Sequence, residues 1–330
     1  MKLSEFNYNL PNELIAQYPL KERAEAKLVV LERKTGVISH HTFHYISKFF
    51  KKDDVLVLNN TKVFKARLKG KKETGGSVEI LLVKEIETGV WEAIISHAKR
   101  TREKTKIFLD KDIYATVKQK LGTRCSLKFN ISTQKIIKKY GIVPLPHYIK
   151  REAVNSDEEY YQSVFAKSDG SIAAPTAGLH FTEALLKDIK KSGVHITEIT
   201  LHIGPGTFKP IRTENIEEHN MESEYFEIPE DTAHVITKAK KVFGVGTSVC
   251  RALESFANTG ATSGPADLFI YPGYTFKTID CLITNFHLPC STPLLLVCAF
   301  ASKDLIFKAY KEAIEKKYRF LSYGDAMLIM

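Results

Sequence analysis

Three histidines stand in sequence settings that could move a proton. His180 lies in the uncharged run Ala173-Ala174-Pro175-Thr176-Ala177-Gly178-Leu179-His180-Phe181-Thr182, His202 opens His202-Ile203-Gly204-Pro205-Gly206-Thr207, and His287 sits in Asn285-Phe286-His287-Leu288-Pro289. Imidazole titrates near pH 6.5, which suits it to general acid and base work. In the first run Pro175 fixes φ, Gly178 permits positive φ, and Thr182 caps a helix expected from Glu183. With Ser171 and Thr176 nearby, that helix start could floor an anion pocket. A buried turn with a satisfied histidine is the bland alternative.

The elements that must position these groups read as α/β. Residues 28–31 and 55–58 are short buried strands, with Phe43, Ile46, Phe49 and Phe50 at helical spacing between them. The second strand ends in Asn59-Asn60-Thr61. A helix over 183–192 closes at Gly193, and the following strand runs to Leu201 and ends at His202. Residues 242–245 lead through Gly246-Thr247-Ser248 into a helix carrying Arg251 and Glu254, and the strand 279–284 ends at Asn285. Open α/β sheets take ligands at the carboxyl ends of their strands. Four ends bearing Asn60, His202, Thr247 and Asn285 with His287 therefore predict one polar cluster. His40, His41 and His44 read as the polar face at the start of an amphipathic helix. No histidine or cysteine spacing suits a metal, and Glu217, Glu218 and His219 fit an exposed helical turn.

The chain has 330 residues, 44% of them hydrophobic, and a net charge of +10. Length suggests about two domains. Neither a signal-type leader nor a membrane-spanning run is visible, and the odd count of five cysteines argues against a disulfide framework, so a cytoplasmic protein is expected. Charge is uneven: residues 62–150 hold 21 Lys and Arg against 8 Asp and Glu, a surplus of 13, and the remainder is slightly acidic. Within that segment, short strands at 78–83, 90–95, 106–109, 113–117 and 125–129 alternate with glycine turns, the pattern of a small barrel or sandwich. We expect an inserted basic β domain over 62–150 that interrupts an α/β domain formed by 1–61 and 151–330. Lys99, Arg100, Arg102 and Lys104, in a loop of the insert, suit phosphate contacts that position RNA without reading its sequence.

Six segments carry a resemblance. Residues 173–182, Leu-Asn-Asn-Thr-Lys-Val (58–63), Gly-Thr-Phe-Lys-Pro-Ile (206–211), Leu-Phe-Ile-Tyr-Pro-Gly-Tyr (268–274), Thr-Asn-Phe-His-Leu-Pro (284–289) and Arg-Phe-Leu-Ser-Tyr-Gly-Asp-Ala-Met (319–327) follow one another in the order seen in the S-adenosylmethionine:tRNA ribosyltransferase-isomerases of queuosine biosynthesis. The chain resembles that family from end to end. The resemblance implies a large irregular α/β barrel-like domain interrupted by a small β-barrel. It also implies a reaction that transfers and isomerises the ribosyl part of S-adenosylmethionine onto 7-aminomethyl-7-deazaguanine at the wobble position of tRNA, giving epoxyqueuosine, adenine and methionine.

S-adenosylmethionine is then a co-substrate, no prosthetic group is implied, tRNA is the partner, and a monomer is expected. A sulfonium acidifies the adjacent C5′ protons, so a base could form an ylide, adenine could leave, and the substrate amine could attack the sugar. His180, His202 and His287 are the candidate bases, and the motifs do not rank them. Asn60, Thr176, Thr207 and Asn285 could hold ribose hydroxyls or base edges, with Gly178, Thr182, Gly204 and Thr247 completing the pocket. Arg251 could pair bidentately with the methionine carboxylate. Lys65, His147, Glu222 and Cys290 depart from the family pattern, and Cys290, in place of a basic residue, weakens the case for an RNA phosphate contact at that position. An ordinary methyltransferase would need a glycine-rich turn after the first strand, where Glu32-Arg33-Lys34 stands. A non-catalytic RNA binder would not need polar strand ends on a separate, near-neutral body.

Overall fold

The structure, a computed structural model, describes residues 1–208 and 210–330, with the backbone alone at 207 and 208. The chain begins with β1 (Lys27–Leu31), β2 (Ile38–Thr42), β3 (Val55–Asn59) and β4 (Thr61–Val63). It continues through β5 (Arg67–Lys72), β6 (Ser77–Glu87), β7 (Val90–Ile95), β8 (Lys106–Asp110), β9 (Ile113–Leu121) and β10 (Arg124–Phe129), then the helices α1 (Thr133–Tyr140) and α2 (Asp157–Tyr160). The remainder runs β11 (Ser168–Ser171), α3 (Glu183–Lys191), β12 (His195–Leu201), β13 (Glu224–Glu227), α4 (Glu230–Thr237), β14 (Val242–Val245), α5 (Thr247–Thr259), β15 (Ser263–Ala266), β16 (Cys281–Asn285), α6 (Thr292–Ala301), α7 (Lys303–Glu315) and β17 (Ala326–Ile329).

Nine strands form a mixed sheet in the order β15-β13-β12-β3-β14-β16-β17-β1-β2. Its centre explains the apolar runs. In β3, Val55 and Val57 pack into one core with residues of α5, α6 and α7, while Leu56 and Leu58 pack into the other with Phe43, Ile46, Phe181, Leu185 and Ile189. A strand buried on both faces has no polar side to alternate. β12, β3, β14 and β16 pair in parallel, so their carboxyl ends emerge together at one sheet edge. That edge gathers the polar strand ends.

β5 to β10 close into a six-stranded barrel, ordered β10-β7-β6-β5-β8-β9. Leu68, Val78, Ile80, Leu82, Ala93, Ile107, Val117 and Leu127 fill it. β5 was not expected, because Arg-Leu-Lys-Gly-Lys-Lys shows little alternation. Only Leu68 of that strand is buried, and Gly70 lets β8 approach so closely that a Cβ there would lie 2.9 Å from the Phe108 carbonyl. The basic run 99–106 starts in the short 3-10 turn Ala98–Arg100 and passes through a tight turn to β8.

Two local readings are corrected. His40 and His41 belong to edge strand β2, and only His44 falls in a 3-10 helix, Phe43–Phe49. On that half-exposed strand His40 Nδ1 meets the Tyr318 hydroxyl at 2.8 Å, and His41 stacks on Tyr45 with ring centroids 4.7 Å apart. Gly178 does not use positive φ. It sits in the 3-10 turn Thr176–His180, where a Cβ would come within 2.7 Å of the Phe165 ring, so close packing is its reason. Among the described residues no helix is long and apolar enough to cross a membrane.

Candidate active site

A cavity of about 240 Å³ opens at the sheet edge where the parallel strands end. Thr176, Thr247, Arg251, Asn285 and His287 line it, together with Tyr148, Glu224, Gly246, Ser248, Thr284 and Ser322. Gly246 holds φ +93, the backbone conformation that turns the end of β14 into α5 and brings Thr247 and Ser248 to the wall. The cavity thus unites five of the residues singled out in the sequence.

His287 is the one candidate base in the cavity wall. Its Nε2 lies 2.9 Å from Thr284 Oγ1, its backbone N–H donates to the Tyr310 hydroxyl at 3.0 Å, and its carbonyl accepts from Tyr8. Burial lowers its pKa to about 3, so the ring is neutral and a lone pair is available.

Asn285 is oriented from behind. Its Oδ1 accepts from the Thr176 hydroxyl at 2.8 Å, and its Nδ2 reaches the Asp325 carbonyl at 3.4 Å and His180 Nε2 at 3.1 Å. A carbonyl can only accept, so Nδ2 is the donor and His180 Nε2 must be unprotonated. Burial, reinforced by the Arg319 and Arg23 charges, lowers the His180 pKa to about 3 and keeps it that way. The His180 ring packs on Phe43 and reaches a separate small recess beside Arg23 and Tyr323. It supports Asn285 and does not face the cavity.

Arg251 and Glu224 form a buried ion pair in the wall, Nη1 to Oε2 at 2.7 Å. Glu224 Oε1 also accepts from Gly204 N–H at 2.9 Å, while Arg251 Nη2 donates to the Ala266 carbonyl. The guanidinium fork is engaged on both sides, and Arg251 Nε is left buried with no hydrogen-bond partner. Glu224 and the Ala266 carbonyl thus already take one hydrogen from each end of the fork that was expected to pair with a carboxylate.

Other expected residues lie elsewhere. The Asn60 amide bonds Glu198 and Thr200 and does not line the cavity. Its neighbour Asn59 is the one turned inward, and it clamps β3 to the end of β12 through both N–H and C=O of Leu201. His202 Nδ1 meets Thr61 Oγ1 at 2.8 Å, its ring rests on Gly170, and burial lowers its pKa against the pull of Glu227 and Asp169. Thr182 accepts from Leu185 N–H and is the cap of α3. Gly204 contributes its N–H to Glu224, whereas the side chain of Thr207 falls outside the described residues. Asp325 is structural: its carboxylate accepts from the N–H groups of Lys27 and Arg319. Glu224 was missed because one acidic residue at the start of a strand gives no signal in the sequence.

Comparison with known proteins finds relatives over the whole chain. The family model described as queuosine biosynthesis protein matches residues 3–329. Curated proteins named S-adenosylmethionine:tRNA ribosyltransferase-isomerase match over 100% of both chains, at 50% identity in Sulfurihydrogenibium sp. and in Halothermothrix orenii and 44% in Thermotoga maritima. A crystal structure of S-adenosylmethionine tRNA ribosyltransferase from Thermotoga maritima is 36% identical with a TM-score of 0.58, over 99% of this chain and 100% of that one. The chain is therefore an α/β enzyme with a barrel attached. It belongs to the queuosine biosynthesis family, that of the S-adenosylmethionine:tRNA ribosyltransferase-isomerases.

Proposed function

We propose that this chain transfers and isomerises the ribosyl part of S-adenosylmethionine onto 7-aminomethyl-7-deazaguanine at the wobble position of tRNA, releasing adenine and methionine and leaving epoxyqueuosine. The observation that carries the reading is the single cavity that gathers His287, Asn285, Thr176 and the Arg251–Glu224 pair at the carboxyl ends of the parallel strands. Family membership supports the reaction; the residues suggest how the chain performs it.

His287 takes the C5′ proton in this reading. A pKa of about 3 makes imidazole a poor base when protonation must create a charge in an apolar wall. Beside a sulfonium that cost changes, because removing the proton turns the sulfonium into a neutral ylide and the imidazole into a cation. Positive charge moves by a few ångströms and none is newly buried. Asn285 and Thr176 offer an amide and a hydroxyl to the ribose, and Arg251, in the cavity wall, is the positive group for the methionine carboxylate. Glu224 tempers the guanidinium charge, so the site does not repel the sulfonium. The basic barrel supplies phosphate contacts through Lys99, Arg100, Arg102 and Lys104.

The test is product analysis with S-adenosylmethionine and tRNA bearing the modified base. Adenine plus methionine is expected, whereas S-adenosylhomocysteine would mean methyl transfer and no turnover would mean a binder. His287→Gln should lower single-turnover adenine release by roughly 100-fold or more, the scale for losing a general base. A near-normal rate in that variant removes His287 from the proton transfer.

A further inference from the structure

Next in the chain to Gln17, whose side chain bonds the cavity-wall residue Tyr148, stands an aromatic ring mounted more firmly than a solvent-exposed side chain requires. Tyr18 is 58% exposed, yet the backbone around it is pinned from two sides. The Tyr18 carbonyl accepts from Arg319, and the Gln17 carbonyl accepts from Arg151 Nε at 2.9 Å. The Arg151 guanidinium lies over the Tyr18 ring, 4.3 Å from its centroid. Arg151 is itself locked by two bonds of 2.7 and 2.8 Å to Asp157, a fully buried carboxylate that also takes the Tyr323 hydroxyl at 2.7 Å.

The mount continues into the cavity wall. The Gln17 side chain donates to the Tyr148 carbonyl at 3.0 Å and accepts from Lys150 N–H at 2.7 Å. Tyr148 lines the cavity, and its hydroxyl meets Ser322, another wall residue, at 2.6 Å. Ring and wall are one hydrogen-bonded unit. His147, Lys21 and Lys150 around it are exposed.

We propose that Tyr18, backed by Arg151, is a stacking platform for the unpaired nucleotide next to the base that enters the cavity. The proposal rests on the RNA-modifying reading of that cavity. A base drawn into a pocket leaves its neighbour without a stacking partner, and proteins replace such partners with aromatic faces. Arg151 is poorly placed to bind phosphate, because Asp157 already neutralises it; its plane stiffens one face of the ring. Lys21 and Lys150 supply the positive potential that draws the strand across the platform. Because every base has a π-face, the contact tolerates any neighbour.

The experiment uses the full-length enzyme and two anticodon stem–loops, each with 2-aminopurine at one nucleotide flanking the wobble position. With one of them the unaltered enzyme should quench the fluorescence on binding. Tyr18→Ala should abolish that quench and weaken binding about tenfold, within the span set by single-base stacking, with the salt slope and the KM for S-adenosylmethionine unchanged. Tyr18→Phe should behave as the unaltered enzyme. Affinity and quench indifferent to Tyr18→Ala, or a Tyr18→Phe variant as weak as Tyr18→Ala, overturn the platform. Adenine release by the unaltered enzyme with full-length tRNA tests the reaction separately, so a failed platform and a failed reaction give different results.

Discussion

At the scale of single residues, the candidate site depends on which side of a strand end each polar group falls. His180 illustrates the point: an imidazole in the most suggestive motif accepts from the amide of Asn285 behind the cavity, and the role we propose for it is positioning that amide. His180→Ala should lose that acceptor and cost about 1–3 kcal/mol of stability, the range for leaving a buried donor unpaired. His180→Gln, which can offer an oxygen near the place of Nε2, should restore most of the turnover that His180→Ala loses. Equal turnover in the two variants would remove the positioning role. The sign of the pH effect follows from the lowered pKa. The unfolded chain takes up a proton below 6.5, but the folded ring resists until about 3, so stability is fully present above 6.5 and is lost as pH falls through that window. His287, lowered to about 3 as well, adds in the same direction. A urea midpoint that drops across the window, and drops less in His180→Gln, is the expected result. Thr176, Thr247, Arg251, Asn285 and His287 were legible in the sequence because each ends or follows a clear strand within a dense motif. Asn60 was not separable from Asn59, since neighbouring strand residues face opposite ways and only the neighbouring strand decides which is buried against it.

At the scale of elements, the central strands were readable because burial on both faces leaves apolar runs that only a covered sheet explains. The edges were harder. β5 carries one buried side chain and β2 is a half-exposed edge, so neither keeps the alternation that sequence reading relies on. The barrel's basic loop was legible from charge, and the structure leaves all four of its chosen residues exposed. Among the described residues none of Lys99, Arg100, Arg102 and Lys104 is in an ion pair, unlike Arg67, Lys69 and Arg124 of the same barrel. Replacing the four by alanine should weaken tRNA binding and flatten its salt dependence, with little change in thermal midpoint because nothing in the fold uses their charges. Filter binding over a salt series checks this. An unchanged slope would exclude the loop as a docking face.

At the scale of the whole molecule, the proposed function asks two parts to act on one long substrate, with the barrel holding backbone and the cavity receiving a base. Their relative placement then becomes a functional quantity, and ion pairs cross between them. Lys65 reaches Glu158 at 2.5 Å, Lys69 reaches Glu152 at 2.5 Å, and Arg124 of β10 reaches Glu222 at 2.7 Å. The third differs in what it leads to. Glu222 follows Met221, which lines the cavity, and lies two residues before Glu224, the partner of Arg251. Arg124 therefore ties the barrel to a segment of the cavity wall. Each partner is about one-third exposed, 30% and 31%, so solvent screens the pair and its loss should change stability by less than about 1 kcal/mol. Its effect should appear in the substrate that spans both parts. Arg124→Ala should raise the KM for tRNA severalfold while leaving the affinity for S-adenosylmethionine and the thermal midpoint nearly unchanged. High salt should shrink the difference between the two proteins, because screening weakens the same pair in the unaltered enzyme. If Arg124→Ala instead weakened S-adenosylmethionine and tRNA equally, the pair would be shaping the cavity wall itself, and the barrel would be only a neighbour to it.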